Sequence, residues 1–215
     1  MTIQYQANFV SNESIIARQL ATNGYAVMDN YLPRGHIKTL REELIQIWQS
    51  GFFRHAGVGR GENWELQPTI RNDKVLWIEQ AACSNSQQAY LEILEILRQQ
   101  LNRDLLLGLF NFEGHMAVYP PGARYKRHID QFRDMGTRRV SCILYLNQDW
   151  TIEDGGALRL YQDSDSLHRY EDIHPYAGRL VTFLSDRFYH EVLPATRERY
   201  SLTGWFRQRD NLLPD

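Results

Sequence analysis

The chain is expected to form an α+β domain, mainly β: a double-stranded β-helix (jelly roll, cupin-like) with supporting N-terminal helices. Three observations predict this. Helical periodicity dominates as far as Gly108 and strand patterning follows it, and helices first with strands after is an α+β pattern. The strands are short, rich in β-branched and aromatic residues, and punctuated by turn signals at Pro120-Pro121-Gly122, Asp154-Gly155-Gly156, Pro175 to Gly178 and Pro194. That spacing suits an antiparallel two-sheet roll. Finally, 215 residues at 43% hydrophobic content can bury one core, and no repeat, low-complexity tract or linker divides them. A single domain is expected over 1–215, with 1–108 as helical support and 109–210 as the roll.

Taken in order, Asn12 or Ser14 is positioned to cap a first helix running to about Thr22, which Asn23-Gly24 ends. Tyr25 to Met28 reads as a short strand. A second helix follows the turn at Asp29–Gly35, and Ile37, Leu40, Leu44, Ile47 and Trp48 recur at helical spacing as its core stripe. Between about 52 and 68 the pattern breaks. Gly57, Gly59 and Gly61 resemble a phosphate cradle superficially, but no strand precedes them and no Gly-Lys-Ser/Thr follows. A mobile glycine-hinged finger fits better, with Phe52, Phe53 and Trp64 able to pack on a partner. Residues 71–79 read as a short strand entering a loop. Ser86 then caps a third helix to about Leu107, with Tyr90, Leu91, Leu94, Leu97, Leu101 and Leu105 inward. Strands are expected at 112–119, 124–130, 139–146, 157–161, 179–184, 190–192 and 200–207.

Composition excludes several classes. A formal charge of −2 and a pI near 6.4 give no global electrostatic reason to expect nucleic acid or a membrane. Cys83 and Cys142 lack a Cys-x-x-Cys partner, which points to free thiols in a reducing compartment. The stretch from Met1 lacks the basic and apolar parts of a signal peptide, and no run approaches about 18 apolar residues. A cytoplasmic monomer is expected.

The chemistry centres on His128-Ile129-Asp130. On a strand, positions i and i+2 share a face, so imidazole and carboxylate project side by side. With one distant histidine, His190, they make the 2-His-1-carboxylate set that leaves open positions on ferrous iron. Arg199 follows nine residues after His190, where a returning strand brings it beside the metal, and its guanidinium suits a bidentate grip on a carboxylate. Any one of these residues alone is more often structural or solvated. Their joint spacing and strand context are what describe an iron- and 2-oxoglutarate-dependent oxygenase. His36, His55, His115, His168 and His174 lack a comparable partner set and read as surface or supporting residues. Arg197, Arg207 and Arg209 form a basic cluster near the chain end, solvated by default or open to an acidic partner.

Longer stretches carry a more specific likeness: Arg71-Asn-Asp-Lys-Val-Leu-Trp-Ile-Glu79, Val118-Tyr-Pro-Pro-Gly122, Tyr125-Lys-Arg-His-Ile-Asp130, Cys142-Ile-Leu-Tyr-Leu-Asn147, Asp149-Trp150, Gly155-Gly-Ala-Leu-Arg159, Ser185-Asp-Arg187, His190-Glu-Val192 and Arg199-Tyr-Ser-Leu-Thr-Gly-Trp205. From about Gly24 to Arg207 the chain resembles the prolyl hydroxylases of the hypoxia-sensing type, including their bacterial members. The resemblance implies His128, Asp130 and His190 as iron ligands. It implies Arg199 and Tyr145 on the distal carboxylate of 2-oxoglutarate, with Tyr119, Leu158, Val192 and Ser201 lining the cosubstrate pocket. Asp73, Tyr125, Arg138 and Trp205 match the prolyl-substrate side, and the 52–68 stretch matches a finger loop that closes over a polypeptide. Fe(II), 2-oxoglutarate and O2 are the implied cofactors, with ascorbate as a stimulating reductant. The implied partner is a protein presenting a proline, elongation factor Tu being the bacterial candidate. The segment Gln131 to Thr137 departs from the family's Asn/Pro/Gly-rich loop. Two further readings stay open: a small-molecule or free amino-acid hydroxylase on the same scaffold, and a non-catalytic oxygen- or iron-sensing roll.

Overall fold

The computed structural model describes residues 3–57, 65–131, 136–163 and 166–209, with 3–11 as backbone alone. Helix α1 (Ile3–Asn23) leads into β1 (Tyr25–Met28), α2 (Arg34–Gln49), β2 (Arg54–His55) and β3 (Lys74–Trp77). Helix α3 (Asn85–Leu105) is followed by β4 (Asn111–Tyr119), β5 (Tyr125–His128), β6 (Arg138–Tyr145) and β7 (Leu158–Tyr161). Strands β8 (Tyr170–Ile173), β9 (Leu180–Leu184), β10 (His190–Val192) and β11 (Arg199–Arg207) complete it. Among the described residues these strands make a seven-stranded sheet, β1-β9-β6-β11-β4-β3-β2, and a four-stranded sheet, β5-β10-β7-β8, antiparallel throughout.

Strand alternation divides the large sheet into two faces. Met116, Val118, Val140, Cys142, Leu144, Leu202 and Phe206 point to the helices and pack with Leu40 and Leu44 of α2, Leu94, Leu97 and Leu101 of α3, and Ile16 and Leu20 of α1. Residues of the opposite parity, Ala117, Tyr119, Ile143, Tyr145, Val181 and Phe183, meet Leu158, Leu160, Ile173 and Val192 of the small sheet. The space between the sheets is the interior of the roll.

Several elements differ from expectation. Helix α1 begins at Ile3 rather than near Asn12, since Ile3 to Val10 contains neither glycine nor proline to stop it. In α3 the cap is Ser84, whose hydroxyl accepts from the Gln87 amide at 3.1 Å; the Ser86 hydroxyl turns to Glu43 of α2 instead. Leu91 and Leu105 are half-buried rather than inward. Strands β1 and β3 come from the helical half and extend the large sheet, so the roll is assembled across position 108. Strand β8 carries the sequence Tyr-Glu-Asp-Ile and lies at the edge of the small sheet; its charge hid it. In the finger segment, Phe53 is buried edge-on against Trp48 at 5.6 Å, so of the two phenylalanines only Phe52 is exposed. Gly59, Gly61 and Trp64 lie outside the described residues, as do residues 132–135 of the loop after Asp130.

Candidate active site

Strands β5 and β10 pair so that His128 stands directly opposite His190, with ring centroids 4.2 Å apart. Asp130 is not on the strand, which ends at His128; it sits two residues past it. The turn is anchored where the Gln131 amide donates to the Ser185 carbonyl at 3.2 Å. From there Asp130 Oδ1 lies 3.6 Å from His128 Nε2 and Oδ2 lies 3.6 Å from His190 Nε2. One ligand atom from each residue falls within 4.8 Å of the others, a grouping that can hold one metal ion.

The electrostatics suit that role. His128 Nδ1 is 2.8 Å from the Lys126 carbonyl and His190 Nδ1 is 3.2 Å from the Phe188 carbonyl. An Nδ1–H donated to each carbonyl leaves both Nε2 lone pairs facing the centre. Burial, then the neighbouring His128, lowers the His190 pKa to about 4 and keeps it a neutral ligand. For Asp130, burial opposes ionisation, but the His190 and His128 imidazoles and the Ser141 hydroxyl outweigh it and hold the carboxyl well below the usual range. Ser141 donates to Oδ2 at 2.6 Å and lies 2.9 Å from the Ser185 hydroxyl. Two neutral imidazoles and one carboxylate on one face are a donor set that fits Fe(II) and leaves positions free.

A stack of groups stands behind His128. The Tyr125 ring lies 3.6 Å from it at 14°, and the Arg71 guanidinium lies 4.2 Å over the Tyr125 ring. Asp73 grips Arg71 with both oxygens, at 2.8 and 2.6 Å. Asp73, expected on the prolyl-substrate side, thus has both oxygens engaged by Arg71. Its carboxylate is fully buried and spent on Arg71, so it supports the ligand strand from behind.

Deeper in the roll, the inner face of β11 presents Arg199, Ser201, Thr203 and Trp205. Arg199 is 1% exposed, and its Nε donates to the Gly156 carbonyl at 2.9 Å. The guanidinium lies 5.0 Å from the Tyr119 ring and 4.8 Å from the Tyr145 ring. Gly156 has φ +67, and a Cβ there would stand 2.9 Å from the Ala195 Cβ and 3.2 Å from the Arg199 Cδ, so only glycine lets this carbonyl reach the arginine. Among the described residues no carboxylate pairs with Arg199, and the buried Tyr145 hydroxyl has no partner. Burial raises the pKa of both tyrosines, which keeps Tyr145 a neutral donor. Leu158 and Val192 pack in this interior from the small sheet, and Ser201 is fully buried with its hydroxyl 3.3 Å from Thr203. An unpaired buried cation beside an unsatisfied hydroxyl is costly unless an anion completes it. The carboxylate of 2-oxoglutarate fits that requirement.

Toward the C-terminal end of β11, Arg138 lies 3.5 Å over the Trp205 ring and its Nε donates to Glu113 at 2.7 Å. His115, expected at the surface or in a supporting position, is buried on the inner face between Trp77 and Trp205, at centroid distances of 5.0 and 5.6 Å. Its signal was parity: it shares the strand face of Ala117 and Tyr119. The C-terminal basic residues are engaged within the chain, Arg207 with Glu113, Arg197 with Asp154, and Arg209 over the Phe110 ring.

Comparison with known proteins agrees with this geometry. Residues 114–207 match the family described as the 2OG-Fe(II) oxygenase superfamily. A solved Pseudomonas putida prolyl-4-hydroxylase superposes with a TM-score of 0.82 and 41% identity, covering 92% of this chain and 99% of that one. A Trichoplax adhaerens prolyl hydroxylase, solved with a hypoxia-inducible-factor peptide fragment, gives 0.84 and 31%, covering 97% and 94%. Egl nine homolog 1 of Homo sapiens is 31% identical over 197 residues, 87% of this chain and 45% of that protein. The chain spans 28% of the Caenorhabditis elegans hypoxia-inducible factor prolyl hydroxylase and 56% of the rat Egl nine homolog 1. A 2-His-1-carboxylate cluster, a buried arginine waiting for an anion, and nearly full-length likeness to a prolyl-4-hydroxylase converge: the chain belongs to the 2-oxoglutarate- and Fe(II)-dependent oxygenases, in the prolyl hydroxylase family of the hypoxia-sensing type.

Proposed function

We propose that this protein is a 2-oxoglutarate-dependent dioxygenase that hydroxylates a prolyl residue in a protein substrate. The observation that carries this reading is the buried, unpaired Arg199 beside the unsatisfied Tyr145 hydroxyl, in the same interior as the His128–Asp130–His190 cluster. When bound, Fe(II) supplies the oxygen-activating chemistry, in which 2-oxoglutarate becomes succinate and CO2 and one oxygen atom goes to the proline. The chain's own residues do the rest. His128, Asp130 and His190 hold the metal. Arg199 and Tyr145 fix the distal carboxylate, while Tyr119, Leu158, Val192 and Ser201 enclose the cosubstrate and exclude water. Arg138 and Trp205 shape the substrate side, and Tyr125, backed by Arg71 and Asp73, keeps His128 in position.

A protein substrate is supported by the likeness to the Trichoplax adhaerens enzyme, whose structure contains a peptide. Elongation factor Tu is our candidate target, and a cytoplasmic monomer belongs to the same reading. The test is incubation of the protein with Fe(II), 2-oxoglutarate and elongation factor Tu under air, reading succinate and the mass of each tryptic peptide. Succinate together with one added oxygen on a proline is expected. No succinate would refute the enzyme assignment, and succinate with unmodified elongation factor Tu would refute that target.

A further inference from the structure

Among the described residues, His115 and Trp205 lie on the inner face with polar atoms that the metal and cosubstrate roles leave unexplained. Pairing places Trp77 of β3, His115 of β4, Thr203 of β11 and Ile143 of β6 in one row across the inner face, with Trp205 in the next row. His115 is 4% exposed and Trp205 7%, yet His115 Nδ1 and Trp205 Nε1 are both buried without a hydrogen-bond partner. Buried N–H groups without an acceptor are rare in native interiors, which marks this row as one that another molecule completes. Trp77, half exposed, carries the same strip of rings out to solvent.

The chemistry of the missing partner follows from charge. The two guanidiniums nearby are engaged, Arg71 by Asp73 and Arg138 by Glu113. Burial, with the cation of Arg71 next in weight, lowers the His115 pKa to about 3, so the ring carries no charge. A neutral ring carries one N–H, and with the proton on the unpartnered Nδ1 the row holds a second donor to which no described residue offers an acceptor. Two neutral donors, Trp205 Nε1–H and His115 Nδ1–H, flanked by aromatic faces, match the carbonyl of a neutral amide. They offer a free carboxylate no counter-charge. Extended proline-containing segments commonly dock on aromatic-lined grooves.

We propose that His115 is a specificity-determining residue whose imidazole donates a hydrogen bond to a main-chain carbonyl of the polypeptide, while Trp77 and Trp205 pack on the segment flanking the target proline. The proposal rests on the protein-substrate reading above. It is tested with wild type, His115→Leu and His115→Gln, loaded with Fe(II), against a library of short proline-centred peptides acetylated and amidated at their ends. The measurements are peptide KM, 2-oxoglutarate KM, succinate formed without peptide, and melting temperature. His115→Leu should raise the peptide KM about tenfold, as expected for losing a hydrogen bond in a desolvated site, and leave 2-oxoglutarate KM and peptide-free succinate unchanged. His115→Gln, which keeps a donor, should restore most of the loss. An unchanged peptide KM overturns the proposal, even with a lowered melting temperature, and so does a shift shared equally with 2-oxoglutarate KM. If the wild type oxidises free proline and none of the peptides, the protein-substrate reading falls and takes this one with it. Peptide turnover indifferent to His115 removes this inference alone.

Discussion

At the scale of single residues, Arg199 and Tyr145 make opposite demands on the empty and loaded protein. Removing the guanidinium leaves a cosubstrate carboxylate buried without its partner, a loss of about 3–5 kcal/mol by analogy with broken buried pairs. Arg199→Ala is therefore expected to raise the 2-oxoglutarate KM by at least about 100-fold. Calorimetry should show Fe(II) affinity unchanged, because His128, Asp130 and His190 do not touch that side chain. Tyr145→Phe deletes a hydroxyl that, among the described residues, makes no hydrogen bond. The melting temperature without cosubstrate should hold or rise, since an unsatisfied buried group is removed, while the 2-oxoglutarate KM rises about tenfold. A variant that loses stability and keeps its cosubstrate affinity would show that the hydroxyl serves the fold instead.

Between elements, one carboxylate ties α2 to the start of α3. Glu43 of α2 accepts from Ser84 and Ser86 and, at 2.6 Å, from the Gln87 side-chain amide, all in the first turn of α3 or its cap. A carboxylate at a helix N-terminus also meets the positive end of the helix dipole. Glu43→Ala should cost about 2 kcal/mol in denaturant unfolding, several hydrogen bonds to one charged group being lost together. It should leave the 2-oxoglutarate KM unchanged, because α2 and α3 pack on the face of the large sheet opposite the site. The same separation explains why Ser86 looked like the cap. Both serines donate to Glu43, and what sets Ser84 apart as the cap is that its hydroxyl also accepts from the Gln87 amide.

Across the whole molecule, helix α1 carries a buried carboxyl into the interior. Glu13 is fully buried; Oε1 accepts from the Tyr31 hydroxyl at 3.1 Å and, among the described residues, Oε2 has no partner. Burial raises its pKa above the ordinary carboxylate value. The folded state thus holds the proton more tightly than the unfolded chain. The stability tied to Glu13 is complete below the unfolded pKa and is lost as pH rises through the folded one. Glu13→Gln keeps an acceptor for Tyr31 and removes the titration. It should raise the melting temperature at neutral pH by about 3 °C, with the gain vanishing in acid. A gain independent of pH would mean that packing, and not charge, is responsible.

The periodicity of single elements was legible along the chain: the α2 and α3 stripes, the alternating strands after Gly108, and the candidate ligands His128, Asp130 and His190 with Arg199 beyond them. These features depend on neighbours a few positions apart or on a spacing the backbone imposes, so local sequence contains them. Asp130 was assigned to the right cluster for the wrong reason. It reaches both imidazoles from a turn held by Ser185 and Ser141, not from a continuing strand. Phe53 was misplaced, and the partners of Asp73 and His115 went unread, because their surroundings are Trp48, Arg71 and the pair Trp77 and Trp205, and all but Arg71 lie on other elements. Local patterning depends on covalent neighbours and can be read in one dimension. Whether a polar side chain meets a partner, a ligand or nothing depends on which strands and helices come to lie beside it, and that was settled only when the two sheets closed into a roll.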